Sequence, residues 1–136
     1  ASALCLLGEG ASALGQHGEV DLTVYLVAAH HGRVRIGIRS LPGDREDGRI
    51  CALGVIDGEQ MPSIALSDTE VPASVLDLGV MSLGGGGAGR SWAERALALR
   101  DRSDIGPFRL GFLEAVVRLA DWRASATPTP YEWEGA

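Results

Sequence analysis

Three histidines occur in these 136 residues, and two of them, His30 and His31, are neighbours at the end of an apolar run, YLVAAHHGRVRIGIRSLPG (residues 25–43). Residues 19–31 read as a helix: Glu19 and Asp21 suit its first turn and Gly32 suits a left-handed stop. Spacing by four puts Leu22, Leu26 and His30 on one stripe, and Val27 and His31 on the next. Imidazoles that prolong buried stripes are candidate metal ligands. Adjacent helical residues diverge by about 100°, so the pair suits a wide site, such as two ions sharing another ligand, better than chelation of one ion. The plainer reading is a core histidine with its hydrogen bonds satisfied.

The matching carboxylate is Asp121. In GPFRLGFLEAVVRLADWRAS, Leu113, Val117 and Asp121 share one stripe, whereas Glu114 and Arg118 read as an exposed ion pair on another. A carboxylate on a core-facing line is costly unless it is paired, hydrogen-bonded or bound to metal. Ser125, one turn on, is placed to hold Asp121 by a hydrogen bond. The plainer reading is a helix-end aspartate acting as a cap. No residue stands out as a catalytic acid, base or nucleophile.

Between these groups, residues 33–40 alternate. Val34, Ile36 and Ile38 fall on one side, and Arg33, Arg35 and Arg39 on the other, a strand-like period of two. Arginines two apart on a strand lie about 6.8 Å apart, close to an extended phosphate repeat, so the row is a candidate nucleic-acid contact. The alternative is a solvated strand face. GGGGAG (84–89) lacks the Lys-Ser/Thr of a phosphate loop and reads as a joint. His17, among glycines, reads as a solvated loop residue.

The elements that position these groups are mainly helical. Residues 1–7 resemble the end of a helix halted by Gly8 and Gly10, and the chain is expected to begin inside a larger protein. Ser91 and Glu94 have capping-box spacing and start a helix. Pro107 suits the first turn of the next one. RICALGVIDGEQMPSIAL reads as two strands turning at Asp57-Gly58, and SVLDLGVMSL as a further extended piece. The expected organisation is a helical unit over 1–126, a hairpin insertion over about 41–83, and a Pro-rich tail over 127–136.

Composition excludes several classes. Net charge is −6, which argues against a generic basic nucleic-acid binder. All 12 basic residues are arginine, as a GC-rich genome would give. Cys5 and Cys51 are far apart in sequence and read as reduced thiols of a cytoplasmic protein. No apolar run is long enough to span a membrane.

The segments around His30-His31-Gly32 and Ala120-Asp121-Trp122-Arg123-Ala124-Ser125, with SWAERALALRDR between them, resemble the HD-type nuclease domain of type I CRISPR interference. The variant found with the type I-G (formerly I-U) helicase-nuclease is the most similar. The resemblance covers most of the chain, and it implies a helical HD core with a small β-hairpin insertion. It also implies one or two divalent ions (Mn, Ni, Co, Fe or Mg) and metal-assisted hydrolysis of single-stranded DNA. The implied partners are the CRISPR helicase domain and the RNA-guided effector complex. Residue by residue, His30 and His31 match the family's His-His ligands and Asp121 its late Asp ligand. The family's first His, its His-Asp pair and its intermediate His have no counterpart here, which implies a missing N-terminal half of the domain. Both histidines must be neutral to ligate, while a helix C-terminus favours imidazolium, so activity is expected to fall at acid pH. Two other readings are a non-catalytic HD-like fragment that docks a helicase or effector complex, and an HD phosphohydrolase acting on nucleotides.

Overall fold

The computed structural model describes residues 1–14, 19–30, 32, 34, 36–37, 48–52, 54–66, 69–83 and 89–126. Among the described residues there are four α-helices, α1 (Ser2–Leu7), α2 (Val20–Ala29), α3 (Trp92–Asp101) and α4 (Gly106–Ala126), and six short strands between α2 and α3. The protein is therefore mainly helical with a small β-hairpin region, and no described helix is long and apolar enough to cross a membrane.

Side-chain chemistry sets the start of α3. Ser91 Oγ accepts the Glu94 backbone N–H, and the Glu94 carboxylate accepts the Ser91 N–H at 2.7 Å, completing the capping box of α3. Pro107 lies in the first turn of α4. Helix α2 is shorter at both ends than its apolar pattern suggests, with Glu19 at its N-cap and His30 at its C-cap. After α1 the chain turns tightly into a 3-10 helix, Glu9–Leu14. There Gly10 is required, because a Cβ on it would sit 2.6 Å from the Cys5 carbonyl oxygen.

The core is a helical stack. Val24 and Tyr25 of α2 meet Trp92, Ala96 and Leu99 of α3 and Leu110 of α4, and α1 covers the other side through Ala3, Leu6 and Leu7. Tyr25 and Trp92 stack with ring centroids 6.1 Å apart. Helix α3 runs back along α2, from Trp92 beside Tyr25 to Arg102 beside Glu19. Helix α4 returns from that end and meets Tyr25 again through Glu114. The sequence pattern thus correctly pairs the 19–31 helix with the 107–125 helix.

The β-region differs from the sequence reading in its turn. Strands β1 (Cys51–Ala52) and β2 (Val55–Ile56) pair antiparallel, with Cys51 opposite Ile56, so the first hairpin closes between Ala52 and Val55. Asp57-Gly58 also forms a turn, the Glu59 N–H donating to the Ile56 carbonyl at 3.2 Å, but the strands on either side of it do not pair with each other. Gly54 has φ 79°, which the tight reversal requires. Asp57 also acts at long range. Its carboxylate accepts the Leu78 N–H at 2.8 Å, locking the first hairpin to the end of the second.

The second hairpin is one ladder in two pieces. Strand β3 (Gln60–Met61) pairs with β6 (Ser74–Val75), and β4 (Ile64–Leu66) with β5 (Thr69–Val71), in a single continuous register. Pro62 and Pro72 fall in the gap on opposite strands, where each lacks the N–H that the ladder needs. Beyond Val75 the chain forms a 3-10 helix, Leu78–Met81, so only Ser74–Val75 of the expected extended piece is strand.

Candidate functional site

His30 ends α2 half-buried, with helical backbone angles (φ −64°, ψ −32°). Its Nδ1 lies 2.5 Å from the Val27 carbonyl oxygen. A carbonyl only accepts, so Nδ1 is the donor in this bond. A backbone anchor of this kind is one that metal-binding histidines use.

Asp121 is half-buried in the last third of α4, on the inward stripe with Leu110, Glu114 and Val117. Ser125, one turn later, is exposed. His31, Arg33, Arg35 and Arg39 lie outside the described residues, as do His17 and the 127–136 tail. Val34, Ile36 and Gly37 are described and are not in a strand. Among the described residues, no group of three or more His, Cys, Asp or Glu side chains is arranged to hold a metal ion.

Two features were not evident in the sequence. Glu114 turns inward and accepts a hydrogen bond from the buried Tyr25 hydroxyl, replacing the expected exposed pairing with Arg118. Burial, reinforced by this bond to a carboxylate, pushes the Tyr25 phenol above its ordinary range. The signal in the sequence is Tyr25 itself: a buried phenol needs an acceptor, and Glu114 is the carboxylate on the facing helix.

The other feature is a charged clasp at the far end of α2. Arg102 grips Glu19 through two bonds of 2.7 and 3.1 Å and Asp104 through two of 3.0 and 2.6 Å. Hydrogen bonds from Arg102 hold the Glu19 and Asp104 carboxyls below their usual range. Arg95 reaches Asp21 at 2.6 Å nearby. Glu19, Asp21, Arg90 and Arg102 line a cleft of about 400 Å³ there. Glu19, Asp21 and Arg102 are already paired within the protein, and the cleft lies at the opposite end of α2 from His30. The clasp is a helix-joining device, away from the predicted metal ligands.

Comparison with known proteins gives no matching family model, no matching curated protein and no matching solved structure.

Of the ligands expected from sequence, the described residues include the His30 imidazole and the Asp121 carboxylate. A stable site needs more than these. His31 is the nearest additional donor by sequence.

Proposed function

We propose that this chain is part of an HD-type, metal-dependent nuclease domain that hydrolyses single-stranded DNA in type I CRISPR interference. In this reading it works in the cytoplasm beside a helicase and an RNA-guided effector complex. The observation that supports it is the common course of α2 and α4. Both helices start at the Arg102–Glu19 clasp and meet at Tyr25 and Glu114. Beyond that contact, His30 lies about 7.5 Å further by helical rise and Asp121 about 10.5 Å further. The two donors are carried toward the same end of the core.

In this reading His30, His31 and Asp121 are peripheral ligands, and the remaining donors come from an N-terminal half of the domain. A bound divalent ion supplies Lewis-acid polarisation of the phosphate and a water of lowered pKa. The chain's own contribution is orientation: the Val27 carbonyl anchors the His30 ring, and Asp121 offers charge from a partly desolvated stripe. Arg33, Arg35 and Arg39 contact the DNA backbone.

The test is metal content of the intact domain, with and without Asp121→Ala. The expected result is loss of bound Mn or Ni in the variant. Equal stoichiometry and affinity would remove Asp121 from the site.

A second reading, a non-catalytic HD-like piece that docks a helicase or effector complex, is favoured by the open apolar face of α4, where Phe108, Phe112 and Trp122 are exposed.

A further inference from the structure

Helix α4 buries only one side. Leu110, Val117 and Asp121 face the core, while Phe108, Phe112, Leu119 and Trp122 are 91, 67, 46 and 77% exposed. The exposed side is ordered. Phe108, Phe112, Ala115, Leu119, Trp122 and Ala126 follow one another at steps of four, three, four, three and four residues. That is the a/d repeat of a helix–helix seam, and it covers nearly the whole length of α4.

The positions flanking such a seam, e and g, select the partner by charge. With Phe112 and Leu119 at a, the e positions are Arg109, Val116 and Arg123, and the g positions are Gly111, Arg118 and Ser125. Every charged flanking residue is therefore an arginine, and all three are exposed. The two acidic residues of α4, Glu114 and Asp121, lie on the opposite, inward side. This segregation occurs in a chain whose net charge is −6.

We infer that the outward face of α4 docks an amphipathic helix of a partner protein, with an apolar heptad stripe flanked by Glu and Asp. A second copy of this chain is a poor occupant, because either orientation of two such seams sets arginine against arginine. Residues 127–136 are also unsuited, because prolines at 128 and 130 interrupt any helix there. Three exposed aromatic side chains, each able to bury about 150–250 Å², provide the anchors. Docking of this kind deepens the second reading above and does not depend on the nuclease reading, because binding here is scored without metal or cleavage.

The test uses two synthetic four-heptad peptides with Leu at a and d. One carries Glu at every e and g position and the other Lys. Each is titrated into the 136-residue chain with Trp fluorescence and calorimetry as readouts. The Glu peptide is expected to bind at least about tenfold more tightly than the Lys peptide, with the gap shrinking as salt rises. Phe112→Glu with Leu119→Glu should abolish binding while circular dichroism shows the fold retained. Arg118→Glu with Arg123→Glu should reverse the peptide preference. Equal affinity for both peptides, absence of binding, or a stable homodimer that Phe112→Glu dissolves would each overturn the inference.

Discussion

Ser91 and Glu94 cap the start of α3 from both directions, and each partner's role is separable. Ser91 is buried and its hydroxyl is the acceptor for the Glu94 N–H. Ser91→Ala should lower stability by about 1 kcal/mol, read as a shift of the urea midpoint at constant slope. Glu94 reports through pH. Hydrogen bonds from the Ser91 backbone and side chain hold its carboxyl below the usual range, and Arg102 does the same for Glu19 and Asp104. A depressed carboxyl stabilises the fold above its unfolded value, and the contribution disappears as pH falls through the lower folded value. Thermal melts should therefore fall off below about pH 4, and Glu94→Gln should flatten that part of the profile. A melting temperature insensitive to pH in that window would contradict these contacts. Gly10 gives a third residue-level test. A Cβ there meets Cys5 backbone at 2.6 and 3.0 Å, and backbone does not yield cheaply, so Gly10→Ala should cost about 1–3 kcal/mol.

Among the elements, α2 and α4 depend on one another through Tyr25 and Glu114. Tyr25→Phe keeps the Trp92 stack but leaves a half-buried carboxylate without its donor, at a cost of about 1–3 kcal/mol. Glu114→Ala should cost less when Tyr25 is already Phe, and a double-mutant cycle measures the difference. Strict additivity would mean that the bond joins nothing. This pairing was only half legible in the sequence. Periodicity shows that both helices have inward stripes, and the Ser91–Glu94 spacing and Pro107 show where α3 and α4 begin. Periodicity does not show that Glu114 faces inward, because apolar residues surround α4 and no single face is marked as core. The hairpins show the same limit. Leu53-Gly54 and Asp57-Gly58 are neighbouring glycine-containing pairs, and Gly54 and Gly58 both have positive φ. The Asp-Gly pair is the stronger local turn signal. Asp57-Gly58 does turn, but the strands it joins pair with other partners, β2 with β1 and β3 with β6. The Asp57–Leu78 bond that ties the two hairpins together is a long-range contact that no local pattern reveals.

On the scale of the whole molecule, the proposed nuclease reading turns on ligand number. His30, His31 and Asp121 are legible in sequence as polar residues on apolar stripes. Their completion into a metal site depends on distance between elements, which periodicity does not encode. His30 and Asp121 sit on helices that leave one clasp in the same sense, and both are half-buried. In the proposed nuclease reading, three ligands of this kind would hold at most part of a two-metal centre, and no residue here matches the family's bridging Asp. Two cations facing one another without a bridging carboxylate lack compensating charge, so this loss should outweigh that of any peripheral ligand. The 136-residue chain should therefore leave labelled single-stranded DNA intact, or nearly so, with Mn or Ni. In the proposed nuclease reading, a domain completed by an N-terminal half should degrade it, and chelator should stop the reaction. His31→Ala and Asp121→Ala in the intact domain should each reduce cleavage and bound metal together. Strong cleavage by the 136 residues alone, lost on His31→Ala, would overturn the argument from ligand number. Cleavage by the intact domain that survives removal of His30, His31 and Asp121 would overturn the nuclease assignment, while leaving the arginine-flanked seam of α4 to be judged by its own peptide titration.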